Sequence, residues 1–422
     1  MNAETSTPAA RRTSVKLLQV EPTTRCNFTC GFCCGRAMDQ SDMSFEAFKE
    51  MLASFPDLEH LELHGEGEPM LHPRIFDMAR IARDRGIKVT SITNGSHFAP
   101  GRIEAILDSG IEHLFVSIES AIEEEFEDIR GGKLSKVCEG ITAILAARDA
   151  RGAKHPALGF SVTVLKRTID ALPKIVELYK SLGMDGGVSL HMLNTMSSYT
   201  SSYTRGMETQ LLGKLDQALA WTRYVRIVER EAVAGSGVHF SDQIFGQMAD
   251  GGPTQKRRAK EYRSCSWLDH GLYVNRHGRA SGCARIKNTE VFGFGTVNDD
   301  DIEVIVAYRD RMAEQVRAGE IPKACEGCFI AESIAVRMAN LLERRLVPGG
   351  DADPSPPVVI GDVPRDALTE RSLLTAFDGQ RSVREVIEQM SATSDMDAVE
   401  GRRRLLPLVG ELVRESALVF AR

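Results

Sequence analysis

From about residue 15 to 225 the chain alternates short β-rich runs with longer amphipathic ones. No other feature restricts its fold as strongly. The predicted strands are Leu17–Glu21, His60–His64, Lys88–Ile92, His113–Ile118, Gly159–Val164 and Gly187–His191, with period-two patterning. Between them the apolar spacing predicts helices over Phe45–Ser54, Arg74–Arg85, Arg102–Ser109, Leu134–Arg151 and Ile169–Leu182. Neighbouring parallel strands need a crossover about as long as a helix, so this order specifies an α/β fold with a parallel sheet, open or curled into part of a barrel. In such sheets the ligand-binding groups collect at the C-terminal ends of the strands.

The reactive residue types fall at those ends. After the first strand comes Cys26-Asn27-Phe28-Thr29-Cys30-Gly31-Phe32-Cys33-Cys34, a C-x3-C-x2-C array formed by Cys26, Cys30 and Cys33. Three thiolates on one tight loop suit three corners of an iron–sulfur cubane and leave one iron open to a bidentate small molecule. A structural zinc site or unligated core cysteines are the alternatives, and Cys34 reads as a packing thiol beside the array. His64-Gly65-Glu66-Gly67-Glu68-Pro69 follows the second strand, where glycine lets backbone approach a ligand and proline stiffens the turn. Thr93-Asn94-Gly95 ends the third strand and Ser117-Ile118-Glu119-Ser120 the fourth. Their polar groups suit ribose hydroxyls or merely cap the next helix. Ser161 and Thr163 share one face of the fifth strand, and His191-Met192 ends the sixth. The hydroxyl-rich run from Asn194 to Gly206 stands where a substrate lid or an ordinary exposed loop would lie. Cys138 belongs to an outer helix and reads as a small buried hydrophobe.

The C-x3-C-x2-C spacing and the GxGEP form of Gly65 to Pro69 resemble the radical S-adenosylmethionine (radical SAM) superfamily. The resemblance implies a partial (β/α)6 TIM-like barrel, with Cys26, Cys30 and Cys33 holding a catalytic [4Fe-4S] cluster whose open iron chelates S-adenosyl-L-methionine. One electron would cleave the sulfonium, giving a 5'-deoxyadenosyl radical that abstracts a substrate hydrogen. It also implies cofactor contacts from Glu66, Gly67, Glu68, Asn94, Ser117, Glu119, Ser161 and Met192, and places Arg130 near cofactor or substrate, a surface salt bridge being the other reading.

A second cysteine group, Cys265, Cys283, Cys325 and Cys328, satisfies tetrahedral zinc or a fully ligated cubane equally by spacing. With Phe294-Gly295-Thr296-Val297 and Gly319-Glu320-Ile321-Pro322 it resembles the auxiliary region of SPASM/twitch radical SAM proteins. That implies one auxiliary [4Fe-4S] cluster, since no cysteine follows Cys328. Four prolines among acidic residues mark a linker, and 358–422 resembles a PqqD-like winged-helix domain, with Ser382 and Glu385 spaced as a capping box. The expected organisation is a flexible 1–14, the barrel over 15–235, an auxiliary-cluster domain over 236–346, a linker over 347–357 and the winged-helix-like unit over 358–422.

Composition narrows the partners. The 52 basic residues against 59 acidic ones argue against phosphate-backbone binding, so no nucleic-acid partner is expected. No apolar run approaches the length of a membrane span, and closely spaced cysteines point to metal ligation in a reducing, cytoplasmic compartment. The expected function is radical SAM chemistry on a small polar natural product (sugar-, nucleoside- or amino-acid-like), ending in epimerisation, dehydrogenation, dehydration or decarboxylation. The alternative is modification of a ribosomally made peptide whose leader is received by the C-terminal domain. A flavodoxin- or ferredoxin-type protein is the expected electron donor.

Overall fold

The computed structural model describes residues 15–235, 238, 240–242, 265–348, 367–394, 396–414 and 418–420. Its first half runs β1 (Leu17–Val20), α1 (Phe45–Ala53), β2 (His60–Leu63), α2 (Ile75–Asp84), β3 (Lys88–Thr93), α3 (Pro100–Asp108) and β4 (Ile111–Ile118). It continues through α4 (Glu123–Arg130), α5 (Leu134–Ala150), β5 (Ala157–Val164), α6 (Leu172–Ser181) and β6 (Val188–Met192). The strands β1 to β6 pair in parallel and in chain order, as the alternation requires.

Period-two alternation sorts the strand residues into two environments. Leu18, Leu61, Val89, Leu114, Leu158 and Val162 face the helices and are fully buried. Gln19, Glu62, Thr90, Ser117, Ser161, Thr163, Ser189 and His191 take the other face and line a central cavity. Apolar stripes seat the covering helices: Ile75, Met78, Ala79 and Ala82 form the buried side of α2. Ser44 caps α1 by accepting the Ala47 N–H.

Two local expectations change. The helix expected over Ile169–Leu182 is a 3-10 turn (Lys166–Ala171) followed by α6, because Pro173 lacks an N–H and belongs in a first turn. Helix α4 was not foreseen, since Glu-Glu-Glu-Phe-Glu-Asp-Ile-Arg shows little apolar periodicity; packing of Phe126 and Ile129 holds it, and Gly131 ends it at φ 74°.

The sheet runs through the expected boundary at 235/236. After the short α7 (Ser197–Thr200) and the long α8 (Lys214–Val233), β7 (Phe240–Asp242) pairs in parallel with β6. Beyond α9 (Ser266–His270), β8 (Gly271–Val274) pairs in parallel with β1, and a hairpin through β9 (Arg279–Ser281) leads past α10 (Thr289–Phe292) to β10 (Gly295–Thr296). One ten-stranded sheet therefore joins the barrel strands to the second cysteine segment.

The rest is mainly helical: α11 (Ile302–Arg317), α12 (Phe329–Leu342), α13 (Ala367–Ala376), α14 (Val383–Thr393) and α15 (Ala398–Arg414). β11 (Leu346–Pro348) pairs antiparallel with β12 (Leu418–Phe420). The capping box at the start of α14 is present, with Ser382 N–H donating to Glu385 Oε2 at 2.7 Å. Arg403 ties α15 to Glu320 at 2.9 Å. Val358-Val359-Ile360, expected as the opening hairpin of the tail, and most of the expected linker lie outside the described residues, as does the N-terminal 1–14. Among the described residues no helix is long and apolar enough to cross a membrane.

Candidate active site

The loop after β1 is locked to the ends of β2 and β3 and to the C-terminus of α4. Thr29 N–H donates to the Arg130 carbonyl at 2.9 Å, Glu68 N–H to the Arg25 carbonyl at 2.8 Å, and Asn94 Nδ2 to Asn27 Oδ1 at 3.1 Å. Gly67 is where the GxGEP turn crosses this loop. A Cβ there would lie 2.4 Å from the Thr23 carbonyl oxygen and 2.7 Å from that of Arg25, so only glycine permits the approach.

Cys26, Cys30 and Cys33 all open onto the cavity, of about 480 Å³, and all are free thiols. Each is met by a different polar group. Asn94 Nδ2 stands 3.8 Å from the Cys26 sulfur, Arg130 Nη1 3.7 Å from that of Cys30, and Cys33 Sγ 3.6 Å from the Glu66 carbonyl. Burial pushes the Cys30 thiol up to about 11, against the pull of Arg130, and pushes Cys33 higher still. Among the described residues, no three Cys, His, Asp or Glu side chains converge on a single ion. Thiols spread along a loop suit a cubane, in which each thiolate binds a different iron.

Of the expected cofactor contacts, Glu66, Gly67, Glu68, Asn94, Ser117, Ser161 and Met192 line the cavity. Glu68 is buried and its carboxylate accepts from Met70 N–H at 3.0 Å, the Thr93 hydroxyl at 2.7 Å and Asn94 N–H at 2.6 Å. Glu119 is not among the cavity residues. Its fully buried carboxylate forms a two-point ion pair with Arg130, which in turn faces Cys30. Arg130 is thus a buried link between α4 and the cysteine loop rather than a surface salt bridge.

Sequence reasoning missed a second charged centre. Lys287, between β9 and α10, lies 2.9 Å from Glu66 Oε1, and Tyr199 from the hydroxyl-rich run donates to the same oxygen at 2.9 Å. Burial alone would raise the Glu66 carboxyl, but Lys287 and the hydrogen bonds around it hold it below the ordinary range. Burial likewise works against the Lys287 ammonium, yet Glu66 and the neighbouring tyrosines hold its affinity for a proton well above normal. The four-residue spacing from Cys283 is the sole sequence trace of Lys287, and it carries no chemical pattern. The hydroxyl-rich run does meet the cavity, through Tyr199 and Tyr203, whose hydroxyl donates to the Asn194 carbonyl at 2.6 Å.

The second cysteine group assembles near this wall. Cys265 caps α9, Cys328 N–H closes the knuckle onto the Cys325 carbonyl at 3.0 Å, and Cys283 reaches the cavity. Burial and then the charges of Cys283, Cys328 and Cys265 push the Cys325 thiol up. Thr195 donates to the Gly327 carbonyl at 2.8 Å and joins the knuckle to the loop after β6. Cys34 is buried with its thiol hydrogen-bonded to Glu66, and Cys138 is partly buried against the core.

Residues 20–188 match the model of the radical SAM superfamily. That segment is a radical SAM domain. Over 185 residues the chain is 28% identical to a tungsten-containing aldehyde ferredoxin oxidoreductase cofactor-modifying protein of Pyrococcus furiosus, covering 42% of this chain and 52% of that one. Over 191 residues it is 29% identical to a PqqA peptide cyclase of Methylobacterium nodulans, covering 43% and 47%. The chain spans about half the length of these curated relatives. Its fold is also that of SuiB from Streptococcus suis, solved with the precursor peptide SuiA, at TM-score 0.56 and 13% identity over 78% of this chain and 73% of that one. That likeness extends beyond residue 188, so the chain shares with SuiB a partial barrel followed by further, largely helical segments.

Proposed function

We propose that the chain is a radical SAM enzyme and activates a C–H bond of a peptide substrate held in the cavity between the strand ends and the second cysteine segment. The carrying observation is that Cys26, Cys30 and Cys33 open onto one polar chamber with the GxGEP turn. When bound there, a reduced cluster and S-adenosyl-L-methionine supply one-electron cleavage of the sulfonium and removal of a substrate hydrogen. The protein's part is placement: Gly67 brings the turn against the cysteine loop, and Asn94 and Arg130 face the sulfurs. Ser117, Ser161 and Met192 offer hydrogen bonds and apolar contact to a nucleoside, while Glu119 acts through Arg130. Cys265, Cys283, Cys325 and Cys328 would hold an auxiliary cluster, completed without a substrate ligand.

A peptide is favoured because the PqqA peptide cyclase and SuiB with its precursor peptide are both similar to this chain. A PqqD-like C-terminal unit would receive the leader segment by strand addition. A small polar natural product is the second reading, supported by the row of polar strand residues Gln19, Glu62, Thr90, Ser161, Thr163 and Ser189 along the chamber. The electron donor in either case would be a flavodoxin- or ferredoxin-type protein.

Anaerobic reconstitution tests the reading. Two cubanes correspond to about eight irons per chain, and 5'-deoxyadenosine should form after reduction with S-adenosyl-L-methionine. A chain that keeps its iron but releases no deoxyadenosine with any reductant overturns the function. Binding of a short precursor peptide encoded beside the enzyme's gene separates the peptide reading from the small-molecule one.

A further inference from the structure

We infer that the interior of the barrel is a subsite for a primary ammonium group of the substrate, with Glu62 as its acceptor. This rests on the reading of the cavity as the substrate chamber. Glu62 lies on β2, two residues before the strand-end His64 and one layer deeper than the cysteine loop. Its register partners are Gln19 on β1 and Thr90 on β3, and all three line the cavity.

What sets Glu62 apart from the other carboxylates of the chamber is that, among the described residues, no group hydrogen-bonds to its carboxylate. Glu66 is paired with Lys287, and Glu68 accepts three hydrogen bonds from Met70, Thr93 and Asn94. The Gln19 amide donates to the His64 carbonyl at 3.1 Å and so is committed elsewhere. Among the described residues the nearest basic atom is His64 Nε2 at 3.9 Å, beyond hydrogen-bond reach. That imidazole is no cation, because burial, with Lys287 and His191 nearby, pulls it down to about 3. Its Nδ1 is buried with no hydrogen-bond partner. Burial alone pushes the Glu62 carboxyl up to about 7, the signature of a carboxylate lacking a counter-ion.

The Glu62 side chain is 29% exposed, and a carboxylate that has lost most of its water gains from being paired and hydrogen-bonded. Barrel interiors are ordinarily filled by branched apolar side chains. A carboxylate in that position, with Thr90 beside it on β3 and the hydroxyls of Thr163 and Ser189 elsewhere on the cavity lining, matches a compact cation carrying several N–H donors. A neutral hydroxyl would satisfy geometry but not charge.

The test uses the anaerobically reconstituted full chain with n-propylammonium as probe and 1-propanol as its neutral counterpart, followed by saturation-transfer NMR. Wild type should bind the ammonium saturably and at least about tenfold more tightly than the alcohol, as a charge-assisted hydrogen bond requires. Glu62→Gln should abolish that preference and Glu62→Asp should retain it. Glu62→Gln removes no existing hydrogen bond, so its fold, checked by thermal melting, should persist. Competition by Nα-acetyl-lysine N-methylamide would assign the amine to a peptide side chain, and competition by glucosamine to an amino sugar. No saturable ammonium binding, equal binding of amine and alcohol, an unchanged preference in Glu62→Gln, or competition by neither compound overturns the inference. Deoxyadenosine release by wild type is read separately, so failure of the radical reading is distinguishable from failure of the ammonium subsite.

Discussion

Replacing Lys287 by Met keeps the length of the side chain and removes its charge. Lys287 is 4% exposed and its partner Glu66 14%, so solvent cannot take over the lost pairing. Breaking a buried ion pair from one side costs about 3–5 kcal/mol, because the remaining charge is stranded. The Tyr199 hydroxyl still donates to Glu66, which places the expected loss toward the lower end, about 3 kcal/mol. The pH dependence is the sharper signature. In wild type the Glu66 carboxyl lies below its ordinary 4.5, so its contribution is complete above that pH and is lost as pH falls through the folded value. The Lys287 contribution is complete below 10.5 and is lost only as pH rises through its raised value. Neither group should make wild-type stability vary between about pH 5 and 9. Without Lys287, burial raises the Glu66 carboxyl, so the folded state binds the proton more tightly than the unfolded one. Stability of Lys287→Met should then fall as pH rises from about 5 to 8. Urea unfolding of wild type, Lys287→Met and Lys287→Met/Glu66→Gln across that range measures it, with the double variant expected to recover a flat profile. If the single variant stays flat, or is as stable as wild type at the alkaline end, the argument for a buried, mutually dependent pair is wrong.

Gly67→Ala should separate cofactor binding from cluster assembly. Its Cβ meets backbone oxygens of Thr23 and Arg25, so the turn must move and S-adenosyl-L-methionine binding should weaken by about tenfold or more in equilibrium dialysis, with iron content little changed. Arg130→Met leaves the fully buried Glu119 unpaired, and about 3–5 kcal/mol of destabilisation is expected in chemical unfolding, larger than for Lys287→Met. Cys325→Ala should lower iron from about eight to about four per chain while the first cluster stays responsive to S-adenosyl-L-methionine by electron paramagnetic resonance. Ser382→Ala removes the N-cap and its capping box, costing about 1 kcal/mol and lowering protection of α14 in hydrogen exchange ahead of the barrel.

Much of this molecule was legible in the chain because the signals were local. Period-two runs such as Ser161 to Val164 place one face toward helices and the other inward whatever the partners are, and the order of strands and helices then leaves a parallel sheet as the economical solution. The cysteine spacing and GxGEP turn are local as well, so Cys26, Cys30, Cys33 and Glu68 stood out in the chain as candidates, and the fold brings all four to one cavity.

Tertiary structure decided what depends on distance across the fold. Nothing in the sequence near Lys287 or Tyr199 shows that they meet on Glu66, since they approach it from segments 221 and 133 residues away. Glu119 looked like a ligand for ribose until Arg130 occupied both of its oxygens. Pairing of β8 with β1 and of β7 with β6 carries the sheet across what composition marked as a domain boundary. Glu62 reads in the chain as an unremarked polar residue within a short strand. Only closure of the surrounding strands turns it into a partly buried cavity carboxylate with no hydrogen-bonding cation among the described residues, because charge pairing is set by three-dimensional proximity and local sequence records only which face a side chain takes.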